Sequence, residues 1–353
     1  MTPLNERIRA QVATEGPMTV ADYMALCLFH PQLGYYTTRE PFGAAGDFTT
    51  APEISQMFGE LIGAWLASAW LDAERPMPVT VAEIGPGRGT LMKDILRVLQ
   101  RLDRDLFSSA HFAMIETSSR LTEIQKETLS GIDANVVWQN SIETLPDFPL
   151  FIIGNELFDA IPMRQFVFSG GKWKERVVGL DENGALRFAA GAGSLDPALL
   201  PADADKAEDG AIFEIAPARN NLMSGIAERI ARSGGAGLFI DYGYRETALG
   251  DTFQALRKHD YEDVLASPGE ADLTSHVDFS MLATSAEAQG LATKLTTQGE
   301  FLLSMGLLER AGALGANADE ATRERLRGEV ERLAGPDAMG ELFKVLEISR
   351  KSR

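Results

Sequence analysis

The segment Glu83-Ile84-Gly85-Pro86-Gly87-Arg88-Gly89-Thr90 is the strongest candidate for ligand chemistry, lying between a short apolar run and a helical pattern. Glycines let the backbone approach a ligand and turn where a side chain would obstruct. The helix that follows offers unpaired N–H groups and a partial positive end. Gly85, Gly87 and Gly89 are therefore expected to cradle a cofactor, with the Glu83 carboxylate accepting a hydrogen bond from it directly or through water. A nicotinamide site would follow G-x-G-x-x-G/A and put Thr90 at the third position, so the spacing departs from that pattern. Glu116 ends the next apolar run, where a carboxylate can grip both hydroxyls of a ribose. Charge-assisted bonds of that kind are worth roughly 1.5–3 kcal/mol each. Dehydrogenases also place an acid there, and Glu116 reads alternatively as a solvated strand end. Ser141 follows the third apolar run, where an adenine would lie.

The E-x-G-x-G-x-G spacing resembles class I methyltransferases, which implies S-adenosyl-L-methionine as cofactor. In such enzymes the loop after the fourth strand faces the departing methyl group. Here that loop carries Asn155, Glu156 and Asp159, of which Asn155 is assigned to the cofactor and the two acids to the acceptor. An arginine acceptor would need them, because its guanidinium stays protonated below about pH 12 and its nitrogens are poor nucleophiles. A carboxylate pair can clamp the planar fork, draw positive charge toward the bonded nitrogens and free another to attack, with much of the rate coming from positioning. Asp159 can instead cap the next turn, and Glu156 can be a rim charge. Asp241, at the end of a later strand, and His276, among polar neighbours, are further catalytic candidates. His276 reads equally as structural.

These residues need a framework that brings strand ends together. From Val79 the pattern alternates: strands at 79–84, 111–116, 135–139 and 150–154, helices at 91–102 and 119–129. Such alternation implies a parallel sheet with right-handed crossovers. The first 75 residues read as helices, one over 21–29 and another over 54–71, joined by a Gly- and Pro-rich loop containing Asp47. That loop either folds over the cofactor to exclude water or is a plain connection. Turn signals at Ser169-Gly170-Gly171 and Glu182-Asn183-Gly184 predict antiparallel hairpins over 164–190. Alternation resumes with a helix near 220–233 and a strand at 237–242. A mostly irregular stretch over 245–274 comes next, then a helix, a strand near 291–296, helices to about 333 and a last strand at 343–349.

Composition narrows the partners. The net charge of -18 argues against nucleic acid, whose phosphates need basic patches, and is compatible with a cationic substrate. No apolar run approaches the ~20 residues of a membrane span. With one cysteine, Cys27, and four scattered histidines (His30, His111, His259 and His276), neither an internal disulfide nor a metal site is expected. The first residues lack an apolar signal core, so a cytoplasmic protein is expected.

Taken together, these motifs resemble the MidA family. The segments that carry the likeness are Gly46 to Gly59, Glu83 to Gly89, Asn155 through Pro162, Asp241-Tyr242-Gly243, Pro268 to Phe279, Gln298 to Leu302 and Gly340 to Val345. The resemblance implies a class I, Rossmann-like α/β methyltransferase: a mostly parallel seven-stranded sheet with an antiparallel last strand. It also implies an N-terminal helical extension over 1–75 and a methyltransferase domain over 76–353. That domain would be interrupted by an insertion at about 164–211 and an acceptor-site segment at about 245–278. The family's mitochondrial members are arginine methyltransferases of the respiratory complex I quinone-site subunit, so that subunit is the implied partner. A small-molecule methyltransferase and a non-enzymatic assembly chaperone that retains the cofactor site remain alternatives. Oligomeric state is left open.

Overall fold

A computed structural model describes residues 2–39, 50–202 and 204–351. The chain divides into two units, Thr49–Leu157 with Leu222–Arg245 and Phe279–Arg353, and Met1–Phe48 with Phe158–Asn221 and Glu246–Asp278.

Seven strands of the larger unit form the main path of an eight-stranded sheet, one more than expected: β1 Thr80–Ile84, β2 His111–Ile115, β3 Val136–Gln139, β4 Leu150–Asn155, β5 Gly235–Tyr244, β6 Leu291–Thr297 and β7 Phe343–Arg350. Their hydrogen-bonded order is β6-β7-β5-β4-β1-β2-β3. The pairs β5–β4, β4–β1, β1–β2 and β2–β3 are parallel, while β7 runs antiparallel to both β5 and β6, so the sheet is mixed. β1 is buried along its whole length, Thr80 and Glu83 included, and β4 is buried without alternation because both faces are covered; Phe151, Ile152 and Ile153 have no exposed surface. Each such side chain contributes roughly 1.5–3 kcal/mol by leaving water. The order reverses between β1 and β4, and a crevice opens at the carboxyl ends where such a reversal occurs.

Three helices of this unit bear on the site: α1 Gln56–Asp72, α2 Thr90–Leu102 and α3 Ser119–Leu129. The helix expected over about 54–71 is α1, and the short helix Ala51–Ile54 precedes it in what read as loop; the two are separate because Ser55 is extended and caps α1 by accepting the Met57 N–H at 3.2 Å. α1 was expected with the N-terminal extension. Its face Phe58, Leu61, Ile62, Trp65 and Leu66 instead joins the core of the larger unit with Leu91, Ile95 and Leu99 of α2. Two glycines of α1 let α2 come close: a Cβ on Gly59 would stand 2.7 Å from Asp94 Cβ, and one on Gly63 would stand 3.1 Å from Val98 Cβ.

In the smaller unit, Pro3–Glu15 and Val20–Phe29 are capped by Thr2 and Thr19. The hairpin strands Arg164–Ser169, Lys172–Leu180 and Leu186–Ser194 pair antiparallel, joined in their sheet by Met18–Thr19 and Ile212–Ile215. Residues 245–274 are mostly irregular, as expected, but hold a small sheet that the sequence did not signal. They contain the antiparallel strands Gln254–Arg257, Asp260–Glu262 and Asp272–Thr274, each too short to show a period of two. Leu4, Ile8, Tyr23, Met24, Met163 and Leu273 share this unit's core. Among the described residues no helix is long and apolar enough to cross a membrane, and no cluster of His, Cys, Asp and Glu is placed to hold a metal ion.

The close approach of α1 and α2 yields a stability prediction. Replacing a helical glycine by alanine normally gains about 0.5–1 kcal/mol, and Gly328→Ala should gain that much because nothing lies within 4 Å of its added Cβ. Gly59→Ala should lose about 1–3 kcal/mol as the new methyl displaces Asp94. Urea unfolding of the two variants measures both, and equal gains would contradict the packing described.

Candidate functional site

The site is assembled at the carboxyl edge of the parallel strands. Gly85 N–H donates to Ile115 O at 3.2 Å, Glu116 N–H to Gln139 O at 2.9 Å, and Glu156 N–H to Ile240 O at 2.8 Å. With the parallel register, the residues that follow β1, β2 and β4 gather at one edge, Gly85 level with Glu116 and Glu156 one step beyond. Between β1 and α2 the backbone turns through left-handed conformations at Gly85, Gly87 and Gly89, with φ of 67°, 51° and 80°. The turn closes with Gly89 N–H on Pro86 O at 2.7 Å. A Cβ on Gly85 would stand 3.0 Å from Leu157 Cδ1. Gly89 is the N-cap of α2 and supplies no side-chain cap.

Glu83 is 3% exposed on β1, flanked by Met114 and Ile153 on the neighbouring strands. Burial pushes its carboxyl up to about 8, against a smaller downward effect of the Met92 backbone N–H. Its Oε2 is buried without a hydrogen-bond partner, and so is Asn155 Oδ1 at the end of β4. Buried polar atoms left without partners cost about 1–3 kcal/mol each, and here both lie at the edge where a ligand would satisfy them. Glu116 is half-buried: Oε1 accepts from Ser118 N–H at 2.7 Å, and Oε2 from Gln125 Nε2 at 3.1 Å. Burial raises its pKa, and the bonds from Ser118 and Gln125 act the other way. Ser141 begins a short 3₁₀ helix, Ile142–Thr144, and accepts the Glu143 N–H at 3.2 Å. A nucleoside with a cationic tail fits this set: amides at a helix end, left-handed glycines, the carboxyl groups of Glu83 and Glu116, and the buried amide oxygen of Asn155.

Glu156 is one of five non-glycine residues with left-handed backbone among the described residues, with Glu74, Arg75, Lys258 and His259, and the one of them at this edge. Its φ of 50° is left-handed, which costs a non-glycine residue about 1–2 kcal/mol and recurs at functional sites. Its Oε1 accepts from Ala51 N–H at 3.3 Å and from Asn155 Nδ2 at 3.0 Å, which ties the carboxylate to the start of Ala51–Ile54. Asp241 is fully buried on β5, with Oδ1 accepting the Tyr242 N–H at 3.0 Å.

Asp159 and His276 belong to the smaller unit. There Arg219, 2% exposed, donates to the backbone oxygens of Asp159 at 3.0 Å, Ile161 at 3.0 Å and His276 at 2.9 Å, and to Ser275 Oγ at 2.6 Å. Arg219 thus joins the two segments that carry Asp159 and His276. Asp47 lies outside the described residues. Two side chains with structural roles at these sites, Arg219 and Gln125, were not among the candidates. Gln125 had a readable signal: it is polar at the i+4 position between Leu121 and Leu129 on the buried face of α3.

The elevation of Glu83 has a pH consequence. The unfolded chain releases this proton near pH ~4.3, whereas the folded chain keeps it to about 8. Between those values the native state binds more protons, so stability falls as pH rises and levels off above about 8. Glu83→Gln removes that contribution and leaves Asp94, Glu116 and Glu214 to titrate as before. The decline in urea midpoint from pH 5 to pH 8 should therefore be shallower in Glu83→Gln. Parallel profiles would contradict the burial argument.

Comparison with known proteins agrees with this geometry. Residues 61–297 match the family described as "Putative S-adenosyl-L-methionine-dependent methyltransferase". The mitochondrial protein arginine methyltransferase NDUFAF7 of Danio rerio is 36% identical over 371 residues, covering 99% of this chain and 87% of its own. The Homo sapiens protein of the same name is 35% identical over 380 residues, covering 99% and 83%. A crystal structure from Burkholderia thailandensis bound to S-adenosyl-homocysteine superposes with a TM-score of 0.85 at 29% identity, covering 98% of this chain and 92% of that one. With two thirds of the sequence inside the matched region and near-complete coverage by these relatives, the chain belongs to this family of S-adenosyl-L-methionine-dependent methyltransferases.

Proposed function

We propose that this protein transfers a methyl group to an arginine side chain of another protein, and that Glu156 is the carboxylate that receives the guanidinium. The observation that carries this reading is the left-handed Glu156 at the end of β4, beside the point where strand order reverses. That reversal, together with the antiparallel β7, also supports a class I, Rossmann-like arrangement. The names of the animal relatives support the acceptor.

On this reading Gly85, Gly87 and Gly89 present backbone to the cofactor, Glu83 and Asn155 face its amino acid portion, Glu116 its ribose hydroxyls and Ser141 the region of its base. Bound S-adenosyl-L-methionine supplies an electrophilic methyl group on a cationic sulfur. Glu156 enters with its Oε1 already oriented by Ala51 and Asn155, so little reorganisation is needed when a planar cation arrives. By bonding part of the fork it leaves another nitrogen to form the N–C bond as the S–C bond breaks. The methylated nitrogen then gives up its proton, and the thioether product leaves. Asp159, Asp241 and His276 remain candidates for accepting that proton or for holding the acceptor; Arg219 fixes the backbone of Asp159 and His276. The acceptor we infer is the complex I quinone-site subunit. A cytoplasmic setting is inferred for this chain, whereas the animal relatives are named mitochondrial.

Two measurements test the reading. Glu156→Gln should bind S-adenosyl-homocysteine within about threefold of the parent, yet lose roughly a hundredfold or more in methyl transfer, the scale of removing one preorganised electrostatic group. Retained transfer would remove Glu156 from the chemistry. Mass spectrometry of the quinone-site subunit from cells with and without the protein should show an arginine methylated only in its presence. An identical mass in both would exclude this acceptor.

A further inference from the structure

Gln125 is fully buried on α3, between Leu121 and Leu129. A buried amide is costly unless its atoms find partners, and here they do. Oε1 accepts from Trp138 Nε1 at 2.9 Å, while Nε2 donates to Gly87 O at 2.8 Å and to Glu116 Oε2 at 3.1 Å. An indole nitrogen only donates, and a carbonyl or an ionised carboxylate only accepts. The amide therefore has one orientation that satisfies all three neighbours. Turned over, it would set donor against donor at Trp138 and acceptor against acceptor at both other contacts. The same side chain underlies the glycine turn, its Cγ 3.4 Å from the place a Cβ would take on Gly89.

We propose that Gln125 is the positioning residue of the cofactor site and sets its preference for a nucleoside that carries a free 2′-hydroxyl. The inference rests on reading Glu116 as the ribose carboxylate. Ser118 holds Oε1 and Gln125 holds Oε2, so the carboxylate is tethered at both oxygens, and each keeps a further lone pair for a hydroxyl. A tethered acceptor loses more when the hydroxyl is missing than a mobile one, which can turn to water or to another donor. Trp138 acts one step further out by fixing which way the amide faces.

The test is calorimetric affinity for S-adenosyl-homocysteine and its 2′-deoxy analogue in the parent protein, Gln125→Met, Trp138→Phe and Glu116→Ala, each checked for folding by thermal unfolding. The parent should prefer the hydroxylated compound by about tenfold or more, the value of one charge-assisted bond. Gln125→Met should narrow that preference to within about threefold, and Trp138→Phe should fall between. A merely destabilising change would weaken both compounds alike and leave the ratio intact. A parental ratio in folded Gln125→Met, with the ratio abolished in Glu116→Ala, overturns the role of Gln125 alone. A parental ratio in Glu116→Ala overturns the ribose reading, and the inference with it. If Gln125→Met does not fold, Trp138→Phe decides: an unchanged ratio there overturns the proposal.

Discussion

The chain must pass from β1 into α2 within five residues, over a carboxylate buried in the sheet, and the rest of the larger unit accommodates that turn. Three left-handed glycines make it sterically possible, and the bond from Gly89 N–H to Pro86 O closes it. The turn is useful only because the parallel register brings the ends of β1, β2 and β4 to one edge. Burial in the sheet disfavours an ionised Glu83, while the Met92 N–H in the first turn of α2 favours it. Burial keeps Glu83 protonated toward about 8, and a cationic ligand alongside would favour the ionised form.

Packing farther out serves the same turn. α2 begins at Gly89 and is held from behind by α1, whose Gly59 and Gly63 admit it at short range. α1 is itself anchored to the sheet through Trp65 Nε1, which donates to Glu347 Oε2 at 2.8 Å, and Glu60 takes a bidentate bond from Arg310 at 2.7 and 2.8 Å. In the smaller unit the comparable part is played by Arg219, a buried cation spread over backbone oxygens. Both devices use close, low-exposure contacts to hold segments that carry acids.

Much of the sheet was legible because β1, β2 and β4 are short apolar runs bounded by turn residues, and the helices between them show an apolar stripe. Glu83 could be named as the acid inside such a run, and Glu116 and Glu156 because each directly follows one. Other features depend on contacts remote in sequence. The break at Ser55 is set by one side-chain cap, and the assignment of α1 to the larger unit follows from its packing on α2. The strands Gln254–Arg257 and Asp272–Thr274 pair across an intervening segment with no local period. The left-handed backbone of Glu156 has no mark in residue type. Gln125 did leave one, a polar residue on an apolar face, but its partners Gly87, Glu116 and Trp138 become neighbours only when β1, β2 and β3 are side by side.

The central claim is that the edge formed by Glu83 to Gly89 and Glu116 holds a sulfonium nucleoside. Equilibrium dialysis of the folded protein against labelled S-adenosyl-L-methionine, and separately against labelled nicotinamide adenine dinucleotide, measures it directly. Saturable retention of about one sulfonium nucleoside per chain, with none of the dinucleotide, is the result this account predicts. Failure to retain the sulfonium nucleoside, or preferential retention of the dinucleotide, would contradict it.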